Sequence, residues 1–168
     1  MSTMQAQENT MKYQDHIIDL TQRAADEAFR YAVAVPADKV DWKPLDAGRS
    51  VLDQAREMAQ CPIWAIGIVS SDEPPKFDGP EMEAQMAEMQ TWSTVAECQA
   101  KCNENLAKLF ETIRATSDER LEQTKWLPFS GGRDYTYAEM MDYPRWNFTY
   151  HLGQIAYIQT LFGDKEMY

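Results

Sequence analysis

The sequence predicts an all-α protein, namely a four-helix bundle of the up-down type with a long third helix. Apolar residues recur every three or four positions in four separate segments, as in amphipathic helices. Two of these segments follow capping-box signals, and no segment alternates apolar and polar residues over a useful length. Four helices with one apolar stripe each bury those stripes by forming a bundle. The length of 168 residues indicates one domain over residues 1–168.

The first predicted helix extends from Met11 to about Val35. Pro36 ends this helix because proline has no backbone N–H to donate. The preceding residues, 1–10, are polar and are expected to be a flexible leader. They lack the apolar stretch of a secretory signal, so we expect a cytoplasmic protein.

The second predicted helix begins after Ser50 and extends to about Val69. Ser50 is a favourable N-cap residue, and Asp53 stands three positions later as the acidic partner of a capping box. Pro62 lies inside this helix and is expected to bend it. The sequence between residues 70 and 80 is rich in proline and is predicted to be a loop.

The third predicted helix is long and runs from about Glu81 to Ala115. Pro80 occupies its first position, where a missing N–H is tolerated. The segment from Ser117 to Asp134 is predicted to be an irregular connection, with its clearest turn signal at residues 130–132.

The fourth predicted helix begins after Thr136, which forms a second capping box with Glu139. Pro144 is expected to bend its second turn. The helix continues to about Phe162, and Gly163 is a suitable residue to end it.

The charge of the chain disfavours two classes of partner. Sixteen Lys and Arg residues against 27 Asp and Glu residues give a net charge of −11. Nucleic acids and anionic membrane surfaces both favour basic proteins, so neither is an expected partner. No apolar run reaches the roughly 18 residues that a membrane-spanning helix needs. Three cysteines do not suggest a disulfide framework.

The fourth helix carries the best candidate for a functional site. Asn147 and His151 stand one turn apart and therefore lie on the same helix face. A histidine with a second potential ligand at i−4 is how metal sites in helical bundles begin. One helix cannot complete such a site, so a third ligand must come from another helix.

Several short motifs resemble the DinB-like (YfiT-like) family of four-helix proteins. The similarity is strongest in His151-Leu-Gly-Gln-Ile followed by Leu161-Phe-Gly, and it includes Val40-Asp-Trp-Lys-Pro and the Ser50-Val start of the second helix. The resemblance implies a homodimer and a divalent metal bound by three histidines, one from the second helix and two from the fourth.

Carried onto this sequence, the implied metal ligands are Glu57, Asn147 and His151, so only one of the three histidines is retained. A carboxylate, an amide oxygen and an imidazole can bind Zn²⁺, Ni²⁺, Fe²⁺ or Mn²⁺, and harder ions gain relative to a site with three imidazoles. The alternative is a metal-free polar cluster in which Glu57 pairs with His151 and Asn147. Packing is the preferred role for Cys61, Cys98 and Cys102.

The resemblance leaves three functional hypotheses open. The first is a divalent-metal-dependent enzyme of the thiol-dependent transferase or hydrolase type, in which the metal activates a low-molecular-weight thiol or a water molecule. The second is a non-catalytic bundle that has lost the metal and binds a small molecule or serves in a stress response. The third is a purely structural dimer. Fold alone does not decide among them.

Overall fold

The structure, a computed structural model, describes residues 11–168 and confirms a four-helix bundle. The expected flexible leader, residues 1–10, lies outside the described part. Six helices and one hairpin follow in chain order: α1 (Tyr13–Ala34), α2 (Val51–Ser70), α3 (Pro80–Thr91), α4 (Val95–Ala115), α5 (Asp118–Leu121), β1 (Thr124–Leu127), β2 (Arg133–Thr136) and α6 (Tyr137–Leu161). The four long helices α1, α2, α4 and α6 form the bundle.

Each long helix packs mainly against two neighbours. The extensive contacts are those of α2 with α4, α1 with α6, α2 with α6 and α1 with α4. Helices α1 and α2, although consecutive in the bundle, meet only slightly and therefore lie on a diagonal. The core between the helices includes the fully buried side chains Phe29, Met58, Leu106, Leu109, Ile113, Phe148 and Ile155.

The directions of the helices correct the predicted up-down connection. Near one end of the bundle, Tyr13 donates to the carbonyl of Ala138 and Gln14 donates to that of Thr116. Tyr137 donates to the carbonyl of Ser71 at the same end. The starts of α1 and α6 therefore lie with the ends of α2 and α4. Helices α2 and α4 run parallel, because α3 and its flanking loops carry the chain back between them.

The predicted third helix is two helices, α3 and α4, which is a second correction. The helix stops after Thr91, and Thr94 begins the next one by accepting a hydrogen bond from the Glu97 N–H. The Glu97 carboxylate in turn accepts from the Ser93 N–H at 2.8 Å. These two hydrogen bonds pair N–H groups at the start of α4 that would otherwise lack a partner. They stabilise a helix end at this point of the chain.

A hairpin and a short helix occupy the segment that was predicted to be irregular. Strands β1 and β2 are antiparallel, with Thr124 opposite Thr136 and Leu127 opposite Arg133. Lys125 points inward from β1 and its amine donates to the carbonyl of Ser71 at 2.7 Å and to the carbonyl of Ile68. Because a lysine occupies a buried position, β1 lacks the alternation of apolar and polar residues that predicts a strand.

The helix boundaries confirm the local signals in the sequence. Both predicted capping boxes form at the starts of α2 and α6. Helix α1 ends before Pro36, and Gly163 follows α6 with a positive φ of 83°. Helices α2 and α6 continue through Pro62 and Pro144 without ending. Within residues 11–168, no helix is both long and apolar enough to cross a membrane.

We predict that Ser50→Ala lowers the free energy of unfolding by about 1 kcal/mol. The substitution removes the acceptor of the Asp53 N–H, a 3.0 Å hydrogen bond at the start of α2. Urea unfolding followed by circular dichroism measures the change. Ser70→Ala, at an exposed position in the last turn of the same helix, is the matched control and should stay within about 0.5 kcal/mol. Equal losses in both variants would contradict a capping role.

Candidate functional site

Three sequence-predicted residues, Glu57, Asn147 and His151, meet between α2 and α6. Because these helices are antiparallel, the first half of α2 lies beside the second half of α6. His151 Nε2 lies 3.0 Å from Glu57 Oε1, and Asn147 Nδ2 donates to the same oxygen at 3.3 Å. The structure therefore brings together all three side chains that the resemblance implied.

His151 is fully buried and has an oxygen facing each ring nitrogen. Its Nδ1 lies 3.2 Å from Gln54 Oε1, while its Nε2 faces Glu57. The side chain has no exposed surface, so water cannot replace either partner. A doubly protonated imidazolium donates to both oxygens, and a neutral ring donates to only one. The two oxygens therefore hold the ring in one orientation from both sides.

Glu57 is held in its ionised form by charges on both sides. Its Oε2 forms an ion pair with the Arg49 guanidinium at 2.7 Å. Burial, the largest single influence, raises the pKa of Glu57, but the hydrogen bond and charge of His151 and the charge of Arg49 outweigh it. The resulting pKa is about 2, below the ordinary value of 4.5. About a quarter of the Glu57 side chain is exposed, so the cluster reaches solvent there.

Two polar atoms in the cluster have no hydrogen-bond partner. Asn147 Oδ1 and Gln54 Nε2 are both buried and unpaired. An unpaired buried acceptor costs free energy, which indicates that Asn147 Oδ1 is available to a further group. Within residues 11–168, no group of three His, Cys, Asp or Glu side chains is placed to bind a metal. A metal ion at this cluster would therefore need the amide oxygen of Asn147 as a ligand.

These donors fit a divalent cation of the harder kind. The imidazole of His151, one oxygen of Glu57 and Asn147 Oδ1 supply one nitrogen and two oxygens. Because Asn147 Nδ2 faces Glu57, the amide would have to rotate for Oδ1 to serve as a ligand together with the other two side chains. Gln54 would keep its contact with His151 Nδ1, as an outer partner that orients a metal-bound histidine.

Sequence reasoning missed Gln54 and Arg49, which complete the cluster. Gln54 precedes Glu57 by three residues on the same helix face, which was the available signal. Arg49 lies before the N-cap of α2, and nothing local in the sequence connects it with Glu57. Arg56, adjacent to Glu57, points away from the cluster and donates to the carbonyl of Trp92 at 2.9 Å.

The cysteines are packing residues, in agreement with the preferred prediction. All three thiols are free and buried. Burial raises the pKa of the Cys61 thiol well above its usual value, and burial raises that of Cys98 to about 11. Thiols with such pKa values stay protonated at neutral pH and are poor ligands. His16, the other histidine of the chain, is exposed on α1.

Comparison with known proteins identifies the fold. No protein-family model and no curated protein matches the chain. Among solved structures, YfiT from Bacillus subtilis, described as a probable metal-dependent hydrolase with an unusual four-helix bundle topology, is similar with a TM-score of 0.71. The match covers 97% of this chain and 95% of YfiT at 12% sequence identity. The chain has the DinB-like fold.

A second solved structure of this fold is the mycothiol-dependent maleylpyruvate isomerase. The TM-score is 0.66 at 14% sequence identity, and the match covers 87% of this chain. The matched region spans 63% of the isomerase, so the isomerase contains a further part that this chain does not match. Similarity at these identities establishes the DinB-like fold and leaves the chemistry to the residues of the cluster.

We predict that Glu57→Gln destabilises the protein at pH 7, by about 1–3 kcal/mol. Because the folded-state pKa lies below 4.5, the carboxylate stabilises the protein above pH 4.5. This contribution declines as the pH falls from about 4.5 toward about 2. Urea unfolding of both proteins at pH 7, 5, 4 and 3 measures the difference.

Glu104→Gln is the control, because Glu104 forms an exposed ion pair with Lys101 on α4. Exposed ion pairs contribute little to the free energy of unfolding, so this variant should be as stable as the parent protein at each pH. A stability gap for Glu57→Gln that stays constant from pH 7 to pH 3 would show that its ionisation is not coupled to folding.

Proposed function

We propose that Glu57, Asn147 and His151 bind a divalent cation in an enzyme that acts on a small molecule. The observation that carries the proposal is the convergence of the His151 imidazole, the Glu57 carboxylate and the Asn147 amide, whose Oδ1 is buried and unpaired. Rotation of this amide would exchange Nδ2 for Oδ1 at the contact with Glu57. The DinB-like fold supports the proposal, since one protein with this fold is described as a probable metal-dependent hydrolase and another as a thiol-dependent isomerase.

The ligand set favours particular cations. Two oxygen donors and one imidazole suit Mn²⁺ and Fe²⁺ better than three imidazoles would, and they suit Zn²⁺ and Ni²⁺ less well. The guanidinium of Arg49, 2.7 Å from Glu57 Oε2, places a positive charge close to the cation and weakens its binding. We therefore expect an affinity below that of a three-histidine site.

The reaction class that fits is hydrolysis or thiol transfer. A bound divalent cation lowers the pKa of a coordinated water or thiol and so supplies a nucleophile at neutral pH. Two side chains position the proposed ligands. Gln54 orients the His151 ring through Nδ1, and Arg49 holds the Glu57 carboxylate in place.

One observation favours a second function, a metal-free binding site. Glu57 and His151 already satisfy each other at 3.0 Å, as an ion pair does. In that case the cluster would recognise a polar small molecule through the exposed edge of Glu57 and the unpaired Asn147 Oδ1. Metal titration separates the two functions.

We predict that Asn147→Leu weakens Mn²⁺ binding at least about tenfold, which corresponds to about 1.4 kcal/mol. The substitution removes the amide oxygen and keeps a side chain of similar size. It removes a buried unpaired acceptor together with the Nδ2 donor to Glu57. Because His151 and Arg49 still pair with Glu57, the free energy of unfolding should change by less than about 1 kcal/mol. Isothermal titration calorimetry measures the binding, and urea unfolding measures the stability.

Asn105→Leu is the matched control, because Asn105 is another buried asparagine and donates to the carbonyl of Ala59 at 2.9 Å. This control should lower stability by about 1–3 kcal/mol, since it removes a buried hydrogen bond between α2 and α4, and should not change Mn²⁺ affinity. Unaltered Mn²⁺ binding in Asn147→Leu, or no Mn²⁺ binding by the parent protein, would contradict the proposed metal centre.

We also predict that Glu57→His combined with Asn147→His raises the affinity for Zn²⁺ and Ni²⁺ relative to the parent protein. Three imidazoles then face one point, and imidazole suits these ions. Calorimetry with both ions measures the gain, and Asn147→His alone should give an intermediate value. No gain in the double variant would mean that positions 57, 147 and 151 do not converge on a common ion.

A further inference from the structure

A groove lies between the hairpin and the first half of α6, beside the end of α2. Its volume is about 600 Å³, within the range of small-molecule sites, roughly 300–1,000 Å³. Nothing in the predicted metal cluster lines this groove. Its walls include the apolar and aromatic side chains Ile68, Leu127, Phe129, Met140, Tyr143 and Trp146.

A continuous row of aromatic rings connects the groove with the metal cluster. We call Phe129, Tyr143, Trp146 and Tyr150 the aromatic row. The rings of Phe129 and Tyr143 are nearly parallel, with centroids 6.3 Å apart and an interplanar angle of 8°. Trp146 follows 6.5 Å from Tyr143, and Tyr150 stacks 5.3 Å from Trp146. Tyr150 then meets the ring of His151 edge-on at 5.3 Å.

The α6 members of the row share one helix face because they are spaced by three and four residues. Trp146 is 55% exposed although it lines the groove. A half-exposed indole beside a concave apolar surface is well suited to contact a flat ring, by its edge or by offset stacking. The row therefore offers a flat ligand a surface that leads toward His151.

The charges at the groove select against anions. Arg133 is already paired with Glu139 at 2.8 Å and lies over the ring of Tyr135. Asp142, the other carboxylate that lines the groove, is paired with Arg145 in the same way. Electron-rich aromatic faces attract cations and repel anions. An anionic ligand would find no unpaired cation among the residues that line the groove, on a chain whose net charge is −11.

We propose that this groove binds a flat aromatic group without negative charge, as the recognition part of the substrate. The inference deepens the proposed function, on which it rests for the identity of the molecule as a substrate. Binding in the groove itself uses the aromatic row and the hairpin and does not require a cation at Asn147.

Two naphthalene probes of opposite charge test this inference by calorimetry on the full-length protein. Naphthalen-2-ylmethylammonium should bind saturably, and naphthalene-2-sulfonate should bind at least tenfold more weakly. Trp146→Ala should weaken the ammonium probe about tenfold, as expected for loss of a stacked ring. Trp126→Ala is the matched control, because Trp126 is 50% exposed and lies outside the groove, and it should leave the affinity unchanged.

Proton NMR of the two histidines reports the direction in which the probe lies. The ring of the bound ammonium probe should shift the imidazole signals of His151 and leave those of exposed His16 in place. Equal binding of both probes, equal affinity in Trp146→Ala and the parent, or an unshifted His151 would overturn the inference.

Asn147→Leu separates this inference from the proposed metal centre. It removes a proposed cation ligand without changing charge, so the ammonium probe should bind with the affinity seen for the parent protein. Probe binding in a protein that takes up no metal would leave the groove assignment standing and remove the metal centre. Metal binding by a protein that does not bind the probe would overturn the groove assignment and leave the metal centre standing.

Discussion

The contact between Glu57 and His151 is the interaction on which the rest of the site depends. A fully buried imidazole needs a partner for each ring nitrogen, and α2 provides both as Gln54 and Glu57. Removing one partner would leave a buried polar atom unpaired, which costs free energy, so the two helices are constrained to keep this register. Arg49 extends the constraint beyond α2, because its charge keeps Glu57 ionised.

The route of the chain explains why the bundle has a groove near this contact. With α3 returning the chain, α4 runs parallel to α2 and ends where α6 begins. The connection between α4 and α6 is then free to form a hairpin, which Lys125 fastens to the end of α2 through two carbonyls. The hairpin stands against the first half of α6, and the space between them is open to a ligand.

Local features of the fold were predictable from the sequence, and features created by long-range contacts were not. The capping boxes of Ser50 and Thr136 depend on residues three positions away and were both found. Thr94 with Glu97 has the same spacing, yet the apolar periodicity on either side concealed the break there. The strand β1 was missed because its buried Lys125 is stabilised by carbonyls more than 50 residues away.

The sequence alone determined four amphipathic helices, most of their ends, and the helix faces on which Glu57, Asn147 and His151 lie. Interactions within about four residues control these properties, and the sequence displays them directly. Only the tertiary structure decided the parallel direction of α2 and α4, the pairing of Arg49 with Glu57, and the unpaired state of Asn147 Oδ1. These depend on which helix faces meet, and that follows from burial of the whole apolar surface at once.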